Sequence, residues 1–110
     1  MISLTVTRWN RTWGPLSETA MRERLQSLGY SVATYCYESG TVFPMHTHEV
    51  DQQDAVLSGA LRICREGGSV VLTPGDTIEI PAGARHSAEV IGNETVVSLD
   101  AVKASSTCKK

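Results

Sequence analysis

The stretch GTVFPMHTHEVDQQDAVLSG, residues 40–59, decides the fold of this 110-residue chain. It is bounded by Gly40 and Gly59, and it contains two of the chain's three histidines, His46 and His48. In an extended segment, residues i and i+2 point to the same face, so both imidazoles can face one point. Neutral imidazole is the commonest metal-binding side chain. The stretch therefore predicts a metal site carried by a strand.

The third histidine belongs to a second stretch, GDTIEIPAGARH, residues 75–86. A short strand, a turn at 81–83 and two further residues deliver His86 to the start of another strand. Spacing alone does not place His86 opposite His46.

Short strands separated by turn residues follow the pattern of an all-β sandwich or barrel. We predict strands over residues 30–38, 55–65, 70–72, 77–80, 87–91 and 95–102. Gly59 lies inside the second of these and indicates a bend or bulge. Gly92-Asn93 predicts a hairpin between the last two strands.

The N-terminal part predicts a strand over 2–7 and one short helix. Ser17 is the predicted N-cap, and Gly29 is the predicted stop. The apolar stripe of this helix is formed by Met21, Leu25 and Leu28.

The length suits a single domain over residues 1–103, with an N-terminal strand and helix at 1–29, a barrel at 30–103 and a flexible tail at 104–110. The net charge is −2, and there is no lysine/arginine cluster beyond the terminal pair, so we expect no nucleic-acid partner. No apolar run reaches the roughly 20 residues of a spanning helix, so we expect no membrane partner.

The three cysteines, Cys36, Cys64 and Cys108, form no C-x-x-C pair. Together with the absence of a secretory pattern at the N-terminus, they predict a cytoplasmic protein with reduced thiols. Cys36 and Cys64 are then expected to be small apolar fillers of strands. A disulfide between them stays open as an alternative.

The two stretches resemble the two motifs of the cupin superfamily. The first is Gly40-x5-His46-x-His48-x3-Gln52-x6-Gly59, and the second is Gly75-x5-Pro81-x-Gly83-x2-His86. The resemblance implies an all-β, double-stranded β-helix or jelly-roll barrel with one short N-terminal helix, and a homodimer. It also implies a divalent transition metal (Zn, Ni, Fe, Cu or Mn) in the barrel mouth, held by His46, His48, Gln52 and His86.

Gln52 departs from the family motif, which normally has a glutamate at this position. Three neutral imidazoles and an amide favour ions such as Zn²⁺, Ni²⁺, Fe²⁺ or Cu²⁺ over Mg²⁺ or Ca²⁺. Gln52 could bind the ion through its carbonyl oxygen or orient a bound water. A register slip could instead bring in Asp51 or Glu49, although the spacing to Gly59 disfavours it.

Asp54 is the candidate catalytic residue. By period-2 alternation it faces the same side as Gln52, where it could be a general base or a substrate contact. The alternative is a solvated acid near the barrel rim, or one paired with Arg62 or Arg85.

Three further residues are candidates for substrate binding. Tyr35 and Tyr37 share one strand face and could line the pocket, pack in the core or form a dimer seam. Arg85 could hold a substrate carboxylate or be an ordinary surface residue. Trp9 and Trp13 are expected to close one barrel end or to lie at a subunit interface.

Three functions remain open from the sequence. The first is a metal-dependent enzyme of oxygenase, isomerase or lyase type acting on a small polar molecule. The second is a non-catalytic module that binds a small ligand or metal, and the third is a cupin with an empty, vestigial site.

Overall fold

The structure is a computed structural model, and it describes residues 5–103. Within that range it contains one α-helix, a 3₁₀ turn at Arg11–Trp13 and nine strands. The helix is α1 (Glu18–Ser27), and the strands are β1 (Thr5–Thr7), β2 (Tyr30–Tyr37), β3 (Val42–His46), β4 (Gln52–Ser58), β5 (Ala60–Arg65), β6 (Gly68–Leu72), β7 (Thr77–Ile80), β8 (His86–Ile91) and β9 (Val96–Lys103). The predicted residues 2–4 of the first strand, Cys108 and the tail 104–110 lie outside the described residues.

The strands form two antiparallel sheets that enclose the core. Their orders are β1-β7-β4-β9-β2 and β3-β8-β5-β6. Apolar side chains from both sheets meet between them, which removes those side chains from water. This core consists of Val56, Leu61, Ile63, Leu72, Ile78, Ile80, Ala84, Val90 and Val96. The expected all-β jelly-roll architecture with one helix is confirmed.

Gly59 turns the corner between the two sheets. The sequence predicts one strand over 55–65, but the structure has two, with β4 in the five-stranded sheet and β5 in the four-stranded sheet. Gly59 has a φ of +80°, and a Cβ there would meet Thr95 O and Val96 Cγ2, each at 2.9 Å. The predicted bend is therefore a complete change of sheet, made where only a glycine fits without displacement of its neighbours.

The predicted hairpin at Gly92-Asn93 is wrong. The chain does reverse there, but β8 pairs with β3 and β5, whereas β9 pairs with β4 and β2. Turn residues predict that the chain reverses direction. They do not predict which strand each flanking strand pairs with, because that depends on contacts between residues far apart in the sequence.

Helix α1 covers the outer face of the five-stranded sheet. Ser17 caps it as predicted, because its Oγ accepts a hydrogen bond from Ala20 N at 3.0 Å. Met21 and Leu25 are each 1% exposed and pack against Ala55, Leu99 and Ala101. The prediction for Leu28 is wrong, because the helix ends at Ser27 and Leu28 is 44% exposed.

Trp9 and Trp13 also lie outside the barrel. They pack edge to face, with ring centroids 5.1 Å apart, and line a cavity with α1 on the outer face of the sheet. They therefore do not close a barrel end as expected.

Cys36 and Cys64 are both free thiols, so the alternative of a disulfide between them is excluded. Cys36 is exposed and is not the apolar filler that was predicted. The reason is that α1 contacts the earlier part of β2, at Val32 and Thr34, and leaves Cys36 uncovered. None of the helices within residues 5–103 has the length and apolar character needed to cross a membrane.

We predict that Gly59→Ala destabilises the protein more than Gly92→Ala. Both glycines have a φ of +80°, so both substitutions carry the strain of the left-handed conformation, roughly 1–2 kcal/mol. Only at Gly59 does the new Cβ also collide with its neighbours; nothing lies within 4 Å at Gly92. The additional loss at Gly59 should be about 1–3 kcal/mol in the free energy of unfolding, measured with urea. Equal losses at the two positions would show that the corner is not crowded.

Candidate metal centre

The three histidines meet at one end of the space between the sheets. His46 and His86 are directly opposite each other on the antiparallel strands β3 and β8. Their ring centroids are 4.3 Å apart, and that of His48 is 4.8 Å from His46 and 5.1 Å from His86. One ligand nitrogen from each of the three rings lies within 4.8 Å of the others. His48 reaches the group although β3 ends at His46.

Two backbone carbonyls orient the rings. Nδ1 of His46 lies 2.6 Å from Pro44 O, and Nδ1 of His86 lies 3.1 Å from Ala84 O. A carbonyl oxygen can only accept, so Nδ1 carries the proton and donates it. The lone pair of each ring is then on Nε2, on the opposite edge, which is the arrangement that metal-binding histidines adopt.

His48 carries a buried atom that the protein itself does not satisfy. Its Nε2 is inaccessible to solvent and has no hydrogen-bond partner among residues 5–103. Burial is the largest influence on the pKa values of His48 and His86, and it lowers both. These rings therefore stay neutral to lower pH, as a metal ligand must. A buried, unpaired nitrogen next to two oriented imidazoles fits a metal ion.

Gln52 begins β4 and lines the same cavity as the histidines. Its Nε2 donates a hydrogen bond to Asp54 Oδ1 at 2.7 Å. The register-slip alternative is wrong for both acids. Asp51 is exposed and accepts a hydrogen bond from Ala82 N at 2.9 Å, which supports the turn before His86. Glu49 is exposed and does not line this cavity.

Asp54 faces inward, as alternation predicts, and is 8% exposed. The alternative interpretations, a solvated acid at the barrel rim or an acid paired with Arg62 or Arg85, are both wrong. Asp54 is buried and not at the rim, and Arg62 instead pairs with Glu89 at 2.9 Å. Arg85 is exposed and lines a different cavity.

A second aspartate, Asp100, completes a polar wall of this cavity, which consists of Gln52, Asp54, Ser98 and Asp100. Asp100 is directly opposite Asp54 on β9. Its two oxygens accept hydrogen bonds from Tyr37 OH at 3.0 Å and from Ser98 Oγ at 2.8 Å. Burial and the Asp100 carboxylate raise the pKa of Asp54 to about 7, while burial and Asp100 also raise that of Tyr37. The Tyr37 hydroxyl therefore remains protonated and acts as a donor.

The cavity that these groups share has a volume of about 170 Å³. Tyr37 lines it, and Phe43, Leu61 and Ala88 form its apolar side. Tyr35 stacks on Tyr37 with ring centroids 6.0 Å apart but lies outside this cavity and is 47% exposed.

Asp100 and Ser98 were missed from the sequence. Their signal is weak but present, because β9 reads VVSLDAVK and positions 98 and 100 put polar residues two apart within the apolar part of the strand. Alternation assigns both to one face. It does not say that this face is the one holding Asp54, which depends on the pairing of β9 with β4.

The fold and the histidine centre together define a small jelly-roll protein with a site suited to a metal ion. The model of the Cupin domain family matches residues 33–102, well over half of the chain. The chain belongs to the cupin family.

Several solved structures share this fold. A cupin-2 domain containing protein from Shewanella frigidimarina is 23% identical, with a TM-score of 0.57 over 66% of this chain and 69% of that one. Acireductone dioxygenase from Bacillus anthracis, solved with a cadmium ion in its active center, is 19% identical, with a TM-score of 0.73 over 93% of this chain and 79% of that one. DMSP lyase DddQ from Ruegeria pomeroyi is 20% identical, with a TM-score of 0.63 over 74% of this chain and 41% of that one. Among curated protein sequences, none is similar enough to count as a relative.

We predict that Asp54 makes the metal-free protein less stable as the pH rises. Its pKa is raised from 3.8 to about 7 on folding, so the folded state binds this proton more tightly than the unfolded chain. The stabilising contribution is complete below pH 3.8 and is lost as the pH rises through 7, with a size of about 2–4 kcal/mol. The measurement is urea unfolding across this range with a chelator present.

The lowered pKa values of His48 and His86 act in the opposite direction, so variants must be compared with one another. Asp54→Asn should lose the downward slope with pH relative to the wild type. Glu94→Gln, at an exposed position, should keep it. An unchanged slope in Asp54→Asn would contradict the assignment.

Proposed function

We propose that this cupin binds one divalent transition-metal ion through His46, His48 and His86, and that it acts on a small polar molecule beside the ion. The observation that carries the proposal is the buried, unpaired Nε2 of His48 next to two rings whose Nδ1 atoms are fixed by backbone carbonyls. A buried polar atom without a partner costs roughly 1–3 kcal/mol, and a bound cation removes that cost.

The donor set favours particular ions. Three of the donors are imidazole nitrogens, and the fourth candidate, Gln52, offers an amide oxygen in place of a carboxylate. Ions that prefer imidazole, such as Zn²⁺, Ni²⁺, Fe²⁺ or Cu²⁺, should bind more tightly than Mg²⁺ or Ca²⁺, with Mn²⁺ as a weaker candidate. When bound, such an ion supplies Lewis acidity and open coordination positions.

The polar wall supplies the protein's own chemistry. Asp54 and Asp100 face each other across β4 and β9, and two adjacent carboxylates can share one proton, which one of them can give up and take back. The hydrogen bonds from Tyr37 and Ser98 hold Asp100 in place. Asp54 is therefore our candidate for proton transfer to or from a bound substrate.

The cavity limits the size of that substrate. A volume of about 170 Å³ is below the roughly 300–1,000 Å³ of sites for larger ligands. One side of the cavity is polar, and the other is formed by Phe43 and Leu61. A compact polar molecule with few carbon atoms suits this space, in an oxygenase, isomerase or lyase type of reaction.

A non-catalytic binding module is the second candidate. The observation that favours it is the hydrogen bond from Gln52 to Asp54, which engages both side chains. Gln52 also stands where the family motif normally has a glutamate. An empty, vestigial site is the third candidate, for the same reason.

Metal content tests the proposal first. Untagged wild-type protein should bind about one equivalent of Zn²⁺ or Ni²⁺ and be stabilised by it, by roughly 2.7 kcal/mol at a free concentration 100 times Kd. His86→Ala should lose tenfold or more in affinity. Arg85→Ala is the matched control, since it changes the adjacent residue and leaves the cavity intact. Equal metal content in wild type and His86→Ala would contradict the metal site.

The substitution Gln52→Glu tests whether residue 52 is the fourth ligand of the metal ion. The new carboxylate lies against Asp54, so the metal-free variant should be less stable than wild type by about 1 kcal/mol or more. With metal bound, the extra negative charge should strengthen binding, most of all for Mn²⁺. The measurement is metal affinity by titration calorimetry together with thermal unfolding. A variant that binds every ion as the wild type does would remove Gln52 from the metal centre.

A turnover assay distinguishes a metal-dependent enzyme from a non-catalytic binding module. With Fe²⁺ or Zn²⁺ loaded, a panel of small hydroxy acids, keto acids and sugars should give oxygen uptake or product, and Asp54→Asn should abolish it while retaining metal. Ligand binding without turnover would support the module, and absence of metal would support the vestigial site.

A homodimer and a cytoplasmic location belong to the same proposal. Large apolar side chains are exposed on the edge strands β2 and β3, with Tyr35 at 47%, Val42 at 63% and Met45 at 45%. Covering such edges is a common reason for pairing of subunits. We predict a dimer mass by light scattering at micromolar concentration; a monomer mass would contradict this.

A further inference from the structure

A second cavity, of about 330 Å³, lies on the opposite side of the five-stranded sheet from the histidines. Its floor is a row of paired residues on β1, β7 and β4, namely Thr5, Glu79 and Gln53. Its other walls are α1 and the segment that carries the tryptophans. Because Gln53 faces this cavity and Gln52 faces the metal centre, the sheet separates the two.

The aromatic walls of this cavity are held in place by the protein itself. The indole N–H of Trp9 donates a hydrogen bond to Gly14 O at 2.8 Å, and Trp13 packs against Trp9 at an angle of 85°. Gly75 lets Trp9 approach closely, since a Cβ there would lie 3.0 Å from the Cβ of Trp9. At the other end, the Tyr30 hydroxyl accepts a hydrogen bond from Gln53 at 3.2 Å. Flat aromatic surfaces are thus fixed before any ligand arrives.

Two cations make cation–π contacts with aromatic rings of this cavity. The guanidinium carbon of Arg24 is 3.5 Å from the ring centroid of Trp13, and the ammonium of Lys103 is 4.8 Å from that of Tyr30. Within residues 5–103, neither has a carboxylate partner; Lys103 donates only to a backbone carbonyl, that of Leu28. Stacking uses the flat face of a guanidinium and leaves its N–H edge to donate.

The charge of the cavity is positive on balance. Arg8, Arg24 and Lys103 line it, against one acid, Glu79. Arg8 is already paired with Asp76 at 3.4 Å, so Arg24 and Lys103 are the two cations available to a ligand. Charge complementarity therefore favours an anion as the occupant.

We infer that this cavity binds a small planar carboxylate, whose ring packs within the aromatic walls of the cavity and whose carboxylate pairs with Arg24 and Lys103. The volume is in the range of small-ligand sites. A planar ring uses the fixed aromatic walls, and a carboxylate accepts from the guanidinium edge and the ammonium. This inference is independent of the metal centre.

The test uses the full chain in the presence of a chelator, with trans-cinnamate as the probe. Calorimetric titration should show saturable binding, and the neutral amide cinnamamide should bind about tenfold more weakly or not at all. The chain has only two tryptophans, and both line this cavity, so their two indole N–H signals in a ¹⁵N NMR spectrum should shift with cinnamate. Cinnamate bound at the metal centre would leave them unmoved.

Two variants locate the site, and a third is the control. Arg24→Gln and Lys103→Gln should each weaken cinnamate binding about tenfold while remaining folded by circular dichroism. Lys103→Gln leaves the Trp13 contact intact, so it keeps the test valid if Arg24→Gln disturbs the fold. Arg62→Gln removes a cation from the other sheet and should leave cinnamate binding unchanged.

Three results would overturn the inference. One is the absence of saturable binding by cinnamate, and another is equal affinity for cinnamate and cinnamamide. The third is a shift of the indole signals with protein concentration alone, which would show that a second copy of the chain occupies the cavity.

Discussion

The pairing of β3 with β8 is the constraint on which the cluster of three histidines depends. It puts His46 directly opposite His86, and these residues come from stretches of chain separated by four other strands. Side chains alternate between the faces of a strand, so a slip of one residue would turn one imidazole to the outside. The turn before His86 is fixed by the hydrogen bond from Ala82 N to Asp51. The register of this strand pair therefore determines whether the histidines can meet at all.

The space between the sheets is divided into two kinds of environment. Away from the histidines it is apolar and closely packed, whereas near them Asp54, Asp100 and Gln52 satisfy one another through hydrogen bonds. Burying carboxylates is unfavourable unless they are protonated or paired. Their proximity is tolerated because burial and the neighbouring Asp100 raise the pKa of Asp54 to about 7, which favours the uncharged form of that carboxyl group. The protein thus keeps a titratable group where an apolar residue would give more stability.

Sequence reasoning reached the fold, the three histidines and the inward direction of Asp54 because these depend on motifs and local alternation. It failed where the answer lies in long-range pairing. The turn at Gly92 gave no sign that β8 and β9 belong to different sheets, and Asp100 could not be placed opposite Asp54 without that knowledge. Leu28 and Cys36 were misjudged because periodicity does not show where a helix stops covering its neighbour.

Gln52 and Gln53 are adjacent at the start of β4 and face opposite sides of the sheet. This arrangement limits the kinds of mutation that β4 can accept during evolution. Strand β4 lies between the two cavities, and its alternate residues face one cavity or the other. Inserting or deleting one residue in β4 would exchange the linings of both cavities at once. Length variation should therefore be confined to turns such as 66–67 and 92–95, while β4 evolves by substitution only, each cavity drawing on every second position.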